Sequence, residues 1–241
     1  MAVIPPPEAK ATEVRRMFGD IAPRYDLLNH LLSLNRDHAW RRRAVDRLLN
    51  DSVPRGVFLD ACAGTLDLSV ELASRPGFAG AVLGFDFSYP MLHMGRSKLR
   101  GRSILPTCAD ALELPLPDHA VDGAMVAFGV RNLTSLEGGL RELARVLRPG
   151  GRLVILEFTT PRWQPFRALY LAYFRRVLPT IGRIVSKHGT AYSYLPESVL
   201  QFPEPPELAT LMQRAGFASV TWESLTGGIV AVHCGSLPGG G

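Results

Sequence analysis

The chain has little of what marks secreted, membrane-spanning or metal-binding proteins. Cysteine occurs only at positions 62, 108 and 234 of 241. An odd, widely spaced set has neither the look of a disulfide framework nor the short spacings of a zinc site, so reduced thiols in a cytosolic protein are the simplest account. No run of about eighteen uninterrupted apolar residues is present, which excludes a membrane-spanning helix. Pro5-Pro6-Pro7 and nearby charges occupy the place where a signal peptide carries its apolar segment, so secretion is not expected. His38, His93, His119, His188 and His233 show no triad or metal pairing; His30, near Tyr25 on a helix, is the exception in position, and solvent exposure is the expected state for it. Internal repeats are absent.

Glycine is scarce at one informative place. Phe58-Leu59-Asp60 is followed by Ala61-Cys62-Ala63-Gly64-Thr65-Leu66-Asp67 and then by a helical segment, Leu68 to Arg75. That is the layout of a buried strand whose last carboxylate opens into a tight turn over a helix N-terminus. Pyrophosphate-binding turns of this kind use Gly-x-Gly-x-x-Gly. Here Gly64 stands alone and no basic residue is adjacent, so a ligand without phosphate suits the turn better.

What is present fits one large α/β domain: 46% hydrophobic residues and a net charge of +5. The positive balance suits an anionic surface, nucleic acid or membrane, without choosing between them. Residues 1–11 are read as disordered. Residues 12–50 read as two or three short helices forming an N-terminal cap, interrupted near Pro23. From there the pattern alternates. Strands are expected at Val57–Asp60, Ala81–Asp86, Ile104–Cys108, Ala120–Phe128 and Arg152–Phe158, with helices at 68–74, 91–99 and 136–147 between them. Such alternation predicts a parallel sheet covered on both faces, with ligands beyond the carboxyl ends of the strands. Val220–Leu225 and Ile229–Cys234, separated by Thr226-Gly227-Gly228, predict a closing hairpin. An open sheet finished this way is typical of class I S-adenosylmethionine-dependent methyltransferases, a Rossmann-like fold. The domain is read as 51–235, with a helical insertion, a lid, at about 161–205 and a flexible tail at 236–241.

Three acids end three successive strands. Asp60, with Gly64 and Thr65, can hold the amino-acid part of a nucleoside ligand. Asp86 can accept both hydrogen bonds of a ribose diol. Asp110 and the Ala111 backbone can read an adenine edge. Capping is the competing role for any one of them, but the three together are more specific. In 161–205, Phe166, Leu169, Tyr170, Tyr173, Phe174, Val177 and Leu178 follow helical spacing with arginines beside them, and Pro179 is expected to kink the helix.

The residues that identify a family lie elsewhere. Tyr25-Asp26-Leu27-Leu28-Asn29 with Ser33 and His38-Ala39-Trp40, Phe128-Gly129-Val130-Arg131-Asn132, Arg145 to Gly151, Leu156-Glu157-Phe158, Leu178 to Gly182 and Tyr192 to Ser198 are the matching stretches. Through them the chain resembles the menaquinone/ubiquinone biosynthesis C-methyltransferases (UbiE-type) from about Val14 to His233. The resemblance implies methyl transfer from S-adenosylmethionine to a ring carbon of a polyprenylated quinol, with Thr65, Asp86, Asp110 and Ala111 as cofactor contacts. The chain departs from many relatives at Ala63, Leu66 and Ala127; the departures at Cys62 and Leu66 favour a naphthoquinol, as in demethylmenaquinone methyltransferases. The alternative is 2-polyprenyl-6-methoxy-1,4-benzoquinol.

A hydroquinone carbon becomes nucleophilic when the neighbouring hydroxyl loses its proton, and a phenol's pKa of about 10 means that this must be assisted. Arg131, charged at any working pH, can stabilise the oxyanion, and Asn132 and Tyr25 can hydrogen-bond the quinol oxygens. The basic amphipathic stretch 163–187 suits a transient membrane-surface contact for a substrate held in the bilayer, which would place a cytoplasmic protein at the inner face of the cell membrane. A homodimer face is the other use of that stretch. An RNA methyltransferase is disfavoured because no aromatic-interleaved basic platform is present. A catalytically inactive scaffold is the reading that Ala63, Leu66 and Ala127 would support. No metal and no nucleic-acid partner is expected.

Overall fold

The computed structural model describes residues 7–50, 55–173 and 189–240. One seven-stranded sheet organises them, in the order β3-β2-β1-β4-β5-β7-β6. The strands are β1 (Arg55–Ala61), β2 (Ala79–Asp86), β3 (Ile104–Cys108), β4 (Val121–Ala127), β5 (Leu147–Phe158), β6 (Ala218–Leu225) and β7 (Val230–Ser236). The first five are parallel, and β7 enters antiparallel between β5 and β6. The expected hairpin is therefore present, as is the expected α/β class. The β5 ladder reaches back to Leu147 through Arg148-Pro149-Gly150-Gly151, so the expected turn belongs to the strand itself.

Central strands read as continuous apolar runs because both faces are covered. Leu59, Ala61, Val126 and Ile155 pack into the layer that includes Leu140 and Leu143 of α6 (Leu136–Val146) and Leu208 and Met212 of α9 (Pro205–Arg214). Phe58, Met125, Val154 and Leu156 pack on the other face against Leu68 and Leu72 of α4 (Asp67–Ala73) and Trp40, Val45 and Leu48 of α3 (Arg36–Leu49). Ser135 caps α6 by accepting the Gly138 N–H at 3.0 Å.

The N-terminal cap comprises α1 (Pro7–Ile21), a single 3₁₀ turn at Ala22–Arg24, α2 (Tyr25–Leu32) and α3. The helix expected from Thr12 starts at Pro7, and Lys10 within it donates to the carbonyls of Arg131 and Leu133 at 3.2 and 2.6 Å. Residues expected to be disordered up to position 11 are thus helical from Pro7. Pro23 sits in the 3₁₀ turn, where its missing N–H breaks the α-helical ladder. Helix α5 (Tyr89–Gly95) lies beside β2 and β3, while Tyr170 of α7 (Gln164–Ala172) and Val199 of α8 (Gly189–Gln201) pack with Ile21 and Leu28 of the cap. The second half of the expected amphipathic stretch, with Pro179, lies outside the described residues.

Candidate active site

Two cavities meet above the carboxyl ends of β1 and β4, where the strand order reverses direction. The smaller is walled by Gly64, Asp86, Asp110, Ala111, Met91, Phe87, Ala127 and Asn132. The larger, about 600 Å³, is walled mainly by apolar and aromatic side chains of the cap, of α7 and of α8. Phe18, Tyr25 and Phe128 line both and form the passage between them.

Asp86 is almost fully buried at the end of β2, and its two oxygens are held apart by backbone donors: Gly64 N–H at 2.9 Å and Ser88 N–H at 2.8 Å. Burial pushes its carboxyl up to about 6, against the pull of those two N–H groups and of Arg15. A carboxylate oriented in this way is ready to accept the paired hydroxyls of a ribose. Asp110, exposed at the pocket rim, accepts the Leu112 N–H at 2.9 Å, which leaves its second oxygen available to a ligand. Asn132 donates to the Phe128 carbonyl at 3.4 Å, while its buried Oδ1 has no hydrogen-bond partner among the described residues. No lysine or arginine is among the described residues that line this cavity. Acids for a diol and an amine, an orphaned acceptor and no phosphate-binding cation together fit S-adenosylmethionine.

Asp60 and Thr65 are placed differently. Asp60 lies below the turn, completely enclosed, and accepts the Ser69 hydroxyl at 2.6 Å. Burial raises its carboxyl to about 7, opposed by the Ser69 hydroxyl and N–H. Thr65 turns its hydroxyl toward the cap, donating to Asp26 Oδ1 at 2.6 Å. Neither lines the cavity. Strand-end position alone does not say which way a short side chain turns.

Leu66 occupies a left-handed conformation (φ 66°) as N-cap of α4, with its side chain fully buried. A Cβ on Gly84 would lie 2.5 Å from Leu66 Cδ2, and one on Gly95 3.0 Å from Leu66 Cδ1. Two glycines on neighbouring elements therefore make the slot that Leu66 fills, and the side chain packs away from the ligand.

In the larger cavity Arg131 is not a free cation. Its Nη1 pairs with Glu157 Oε1 at 2.7 Å, with Arg131 almost buried and Glu157 wholly so. The guanidinium lies 5.5 Å from the Phe158 ring centroid, and Nε has no hydrogen-bond partner among the described residues. Burial raises the Glu157 carboxyl, while Arg131 draws it back down. Glu157 stands in the Leu156-Glu157-Phe158 motif, but only its buried pair with Arg131 marks it as part of the site. Tyr25 faces the passage; burial pushes its hydroxyl up, with Asn29 and Arg131 opposing, so it stays a neutral donor.

The cap is tied to the cofactor turn by a continuous ionic chain. His30 Nδ1 lies 2.7 Å from Asp37, Asp37 2.6 Å from Arg41, and Arg41 3.1 Å from Asp67 at the start of α4. Lys98 bridges Asp67 and Asp26, the latter at 2.6 Å, and Asp26 holds Thr65. His30, expected to be free in solvent, is thus half-buried and paired. His30, Asp37 and His38 cluster closely enough to suggest a metal, but the Asp37 oxygens already accept from Ser33 and Arg41, and that guanidinium repels a cation.

A mixed sheet of this order, with a phosphate-free nucleoside pocket at its reversal point, defines a class I S-adenosylmethionine-dependent methyltransferase. Solved structures share the fold at low identity. An S-adenosylmethionine-dependent methyltransferase of Thermotoga maritima matches with TM-score 0.62 at 20% identity, covering 92% of this chain and 98% of that one. The [4+2]-cyclase SpnF matches with TM-score 0.61 at 18% identity, covering 83% and 81%. The profile of the ubiE/COQ5 methyltransferase family matches residues 7–237, and the chain belongs to that family. Among its relatives, the demethylmenaquinone methyltransferase of Thermus thermophilus is 50% identical over 225 residues, 92% of this chain and all of that protein. The demethylmenaquinone methyltransferase of Streptomyces avermitilis is 44% identical, over 92% and 94% of the two chains. A ubiquinone/menaquinone biosynthesis C-methyltransferase of Geobacter sulfurreducens is 44% identical, over 94% and 89%.

Proposed function

We propose that this enzyme methylates a ring carbon of a polyprenylated quinol, demethylmenaquinol, to give menaquinol. The observation that carries the proposal is the large apolar cavity joined to the cofactor pocket at Tyr25 and Phe128, with a buried cation, Arg131, in its wall. A flat bicyclic ring with an isoprenoid tail fits such a space, and an RNA base with its phosphates does not. The relatives from Thermus and Streptomyces favour the naphthoquinol; the Geobacter relative, named for both pathways, makes the benzoquinol the second reading.

S-adenosylmethionine supplies an electrophilic methyl group when bound, so the protein's own task is to align and activate the acceptor carbon. Asp86, Asp110, Ala111 and Gly64 would hold the nucleoside, and Asn132 Oδ1 would take a donor from the amino-acid end or from the quinol. Tyr25, held neutral, donates a hydrogen bond to one quinol oxygen. The Arg131 guanidinium would stabilise the other as negative charge develops on it, and Glu157 fixes the guanidinium in the cavity wall. The bound cofactor would supply the methyl group for the new ring-carbon bond and leave as its neutral thioether, and the ring proton displaced would pass to solvent as aromaticity returns.

Purified protein, radiolabelled S-adenosylmethionine and short-tailed quinol analogues test the proposal. The expected result is label in the naphthoquinol, with the benzoquinol slower. Cofactor binding without label in either quinol would overturn it, and absent cofactor binding would favour a scaffold.

A further inference from the structure

We propose that the corner between α2 and α3 is a membrane-docking edge that inserts into an anionic lipid surface and opens the large cavity directly to the bilayer. The inference rests on the reading above that the substrate carries a polyprenyl tail.

Leu27, Leu31 and Leu34 are between 50% and 82% exposed, an unusual concentration of large apolar surface on one short element. Leu27 and Leu31, i and i+4 on α2, share one helix stripe, and Leu34 follows it in the turn before α3. Leu34 and Asn35 both adopt left-handed backbone, φ 52° and 59°, although neither is glycine. Such a conformation is unfavourable for a leucine and is kept only where the surroundings impose it. Its effect here is to hold Leu34, the most exposed leucine among the described residues, at the apex of the turn. A core-packing role does not explain an apex leucine in solvent.

Two further observations name the occupant. Leu34 also lines the large cavity, and so does Leu169 of α7, itself 67% exposed, so the leucine stripe runs into the cavity mouth. A tail leaving the cavity between them meets whatever covers the stripe. Arg24 and Arg36 flank the stripe, are exposed, and form no ion pair among the described residues. The acids of the same corner face inward instead: Asp26 is held by Thr65 and Lys98, and Asp37 by Ser33, His30 and Arg41. An apolar ridge with unpaired cations on its flanks and its anions withdrawn matches the headgroup boundary of an anionic bilayer.

The test uses the full chain and vesicles of phosphatidylcholine with and without phosphatidylglycerol. The wild type is expected to co-sediment with the anionic vesicles at low salt and to be released by about 0.5 M salt. Leu27→Glu/Leu31→Glu, two positions outside the cavity wall, is expected to weaken binding at least about tenfold. This variant is expected to turn over a short-tailed, water-soluble quinol like the wild type and to lose turnover of a long-tailed quinol presented in vesicles. Arg24→Glu/Arg36→Glu should weaken binding to anionic vesicles only. Wild-type vesicle binding by the leucine variant would overturn the proposal. So would a wild type that fails to bind, binds neutral and anionic vesicles equally, or buries the leucines in a dimer detected by sedimentation velocity. Failure of the wild type on every quinol, with vesicle binding intact, would instead sink the substrate reading.

Discussion

Removing Arg131 alone leaves Glu157, which has no exposed surface, without its cation. Breaking a buried pair on one side costs about 3–5 kcal/mol, more than the pair itself contributes. Arg131→Ala is therefore expected to lower both stability and turnover. Arg131→Ala/Glu157→Gln separates the two effects: denaturant melts should recover much of the stability, while quinol methylation stays down about a hundredfold or more. A double variant with restored turnover would assign Arg131 a purely structural role. Gly84 makes a comparable test of Leu66. Gly84→Ala brings a Cβ into Leu66 Cδ2 and is expected to cost about 1–3 kcal/mol in urea unfolding, with Leu66→Ala in that background costing less than it does alone. At Asp86 the sign runs with the charge. The carboxyl, raised to about 6 by burial, is ionised above that pH and accepts a diol only then. Cofactor affinity measured by calorimetry should fall as pH drops from 7 to 5, and Asp86→Asn should bind weakly with no such dependence. Individual residues were where sequence reasoning stopped soonest. Asp60, Asp86 and Asp110 looked equivalent at their strand ends, yet one is locked under the turn by Ser69, one is aimed by two N–H groups, and one is exposed.

At the scale of elements, strands β1 to β5 and the closing hairpin were legible because a doubly covered sheet needs unbroken apolar runs, and those runs are local in sequence. The ends of the elements were less so. The β5 ladder starts five residues early because Leu147 pairs with Val121 across a register shift, which no local pattern announces. The start of α1 at Pro7 depends on Lys10 reaching carbonyls more than 120 residues away. The junction between β1 and α4 carries its own prediction. The Asp60 carboxyl is raised to about 7 from an ordinary value near 4. A raised carboxyl contributes stability that is fully present below about pH 4 and is lost as pH rises through about 7. The stability advantage of the wild type over Asp60→Asn should therefore be larger at pH 5 than at pH 8 in thermal melts. An advantage that grows with pH would mean that the carboxylate form is the one the junction favours.

Across the whole molecule, the outcome most visible in sequence was the architecture, and the least visible was how the cap is fastened to it. Tyr25, Asn29 and Trp40 could be set apart as residues of interest, but their joining to the sheet runs through Asp26, Asp37, Arg41, Asp67 and Lys98, pairs separated by up to 72 positions. Charged residues on helices read as solvated faces until their partners are known. Because Asp37 and Arg41 line the large cavity while Thr65 and Asp67 belong to the turn whose Gly64 lines the smaller one, one chain of ions runs from one binding space to the backbone beside the other. Cofactor addition is expected to slow amide hydrogen exchange in α2 and α3, and Lys98→Met to remove most of that protection while leaving the sheet unaffected. Equal protection in the variant would show that cap and turn respond independently. Coupling of this kind is reciprocal. A compound that occupies the quinol space would then be held more tightly the fuller the enzyme is of S-adenosylmethionine. Its potency would rise with the cell's supply of methyl donor and fade as that supply runs down.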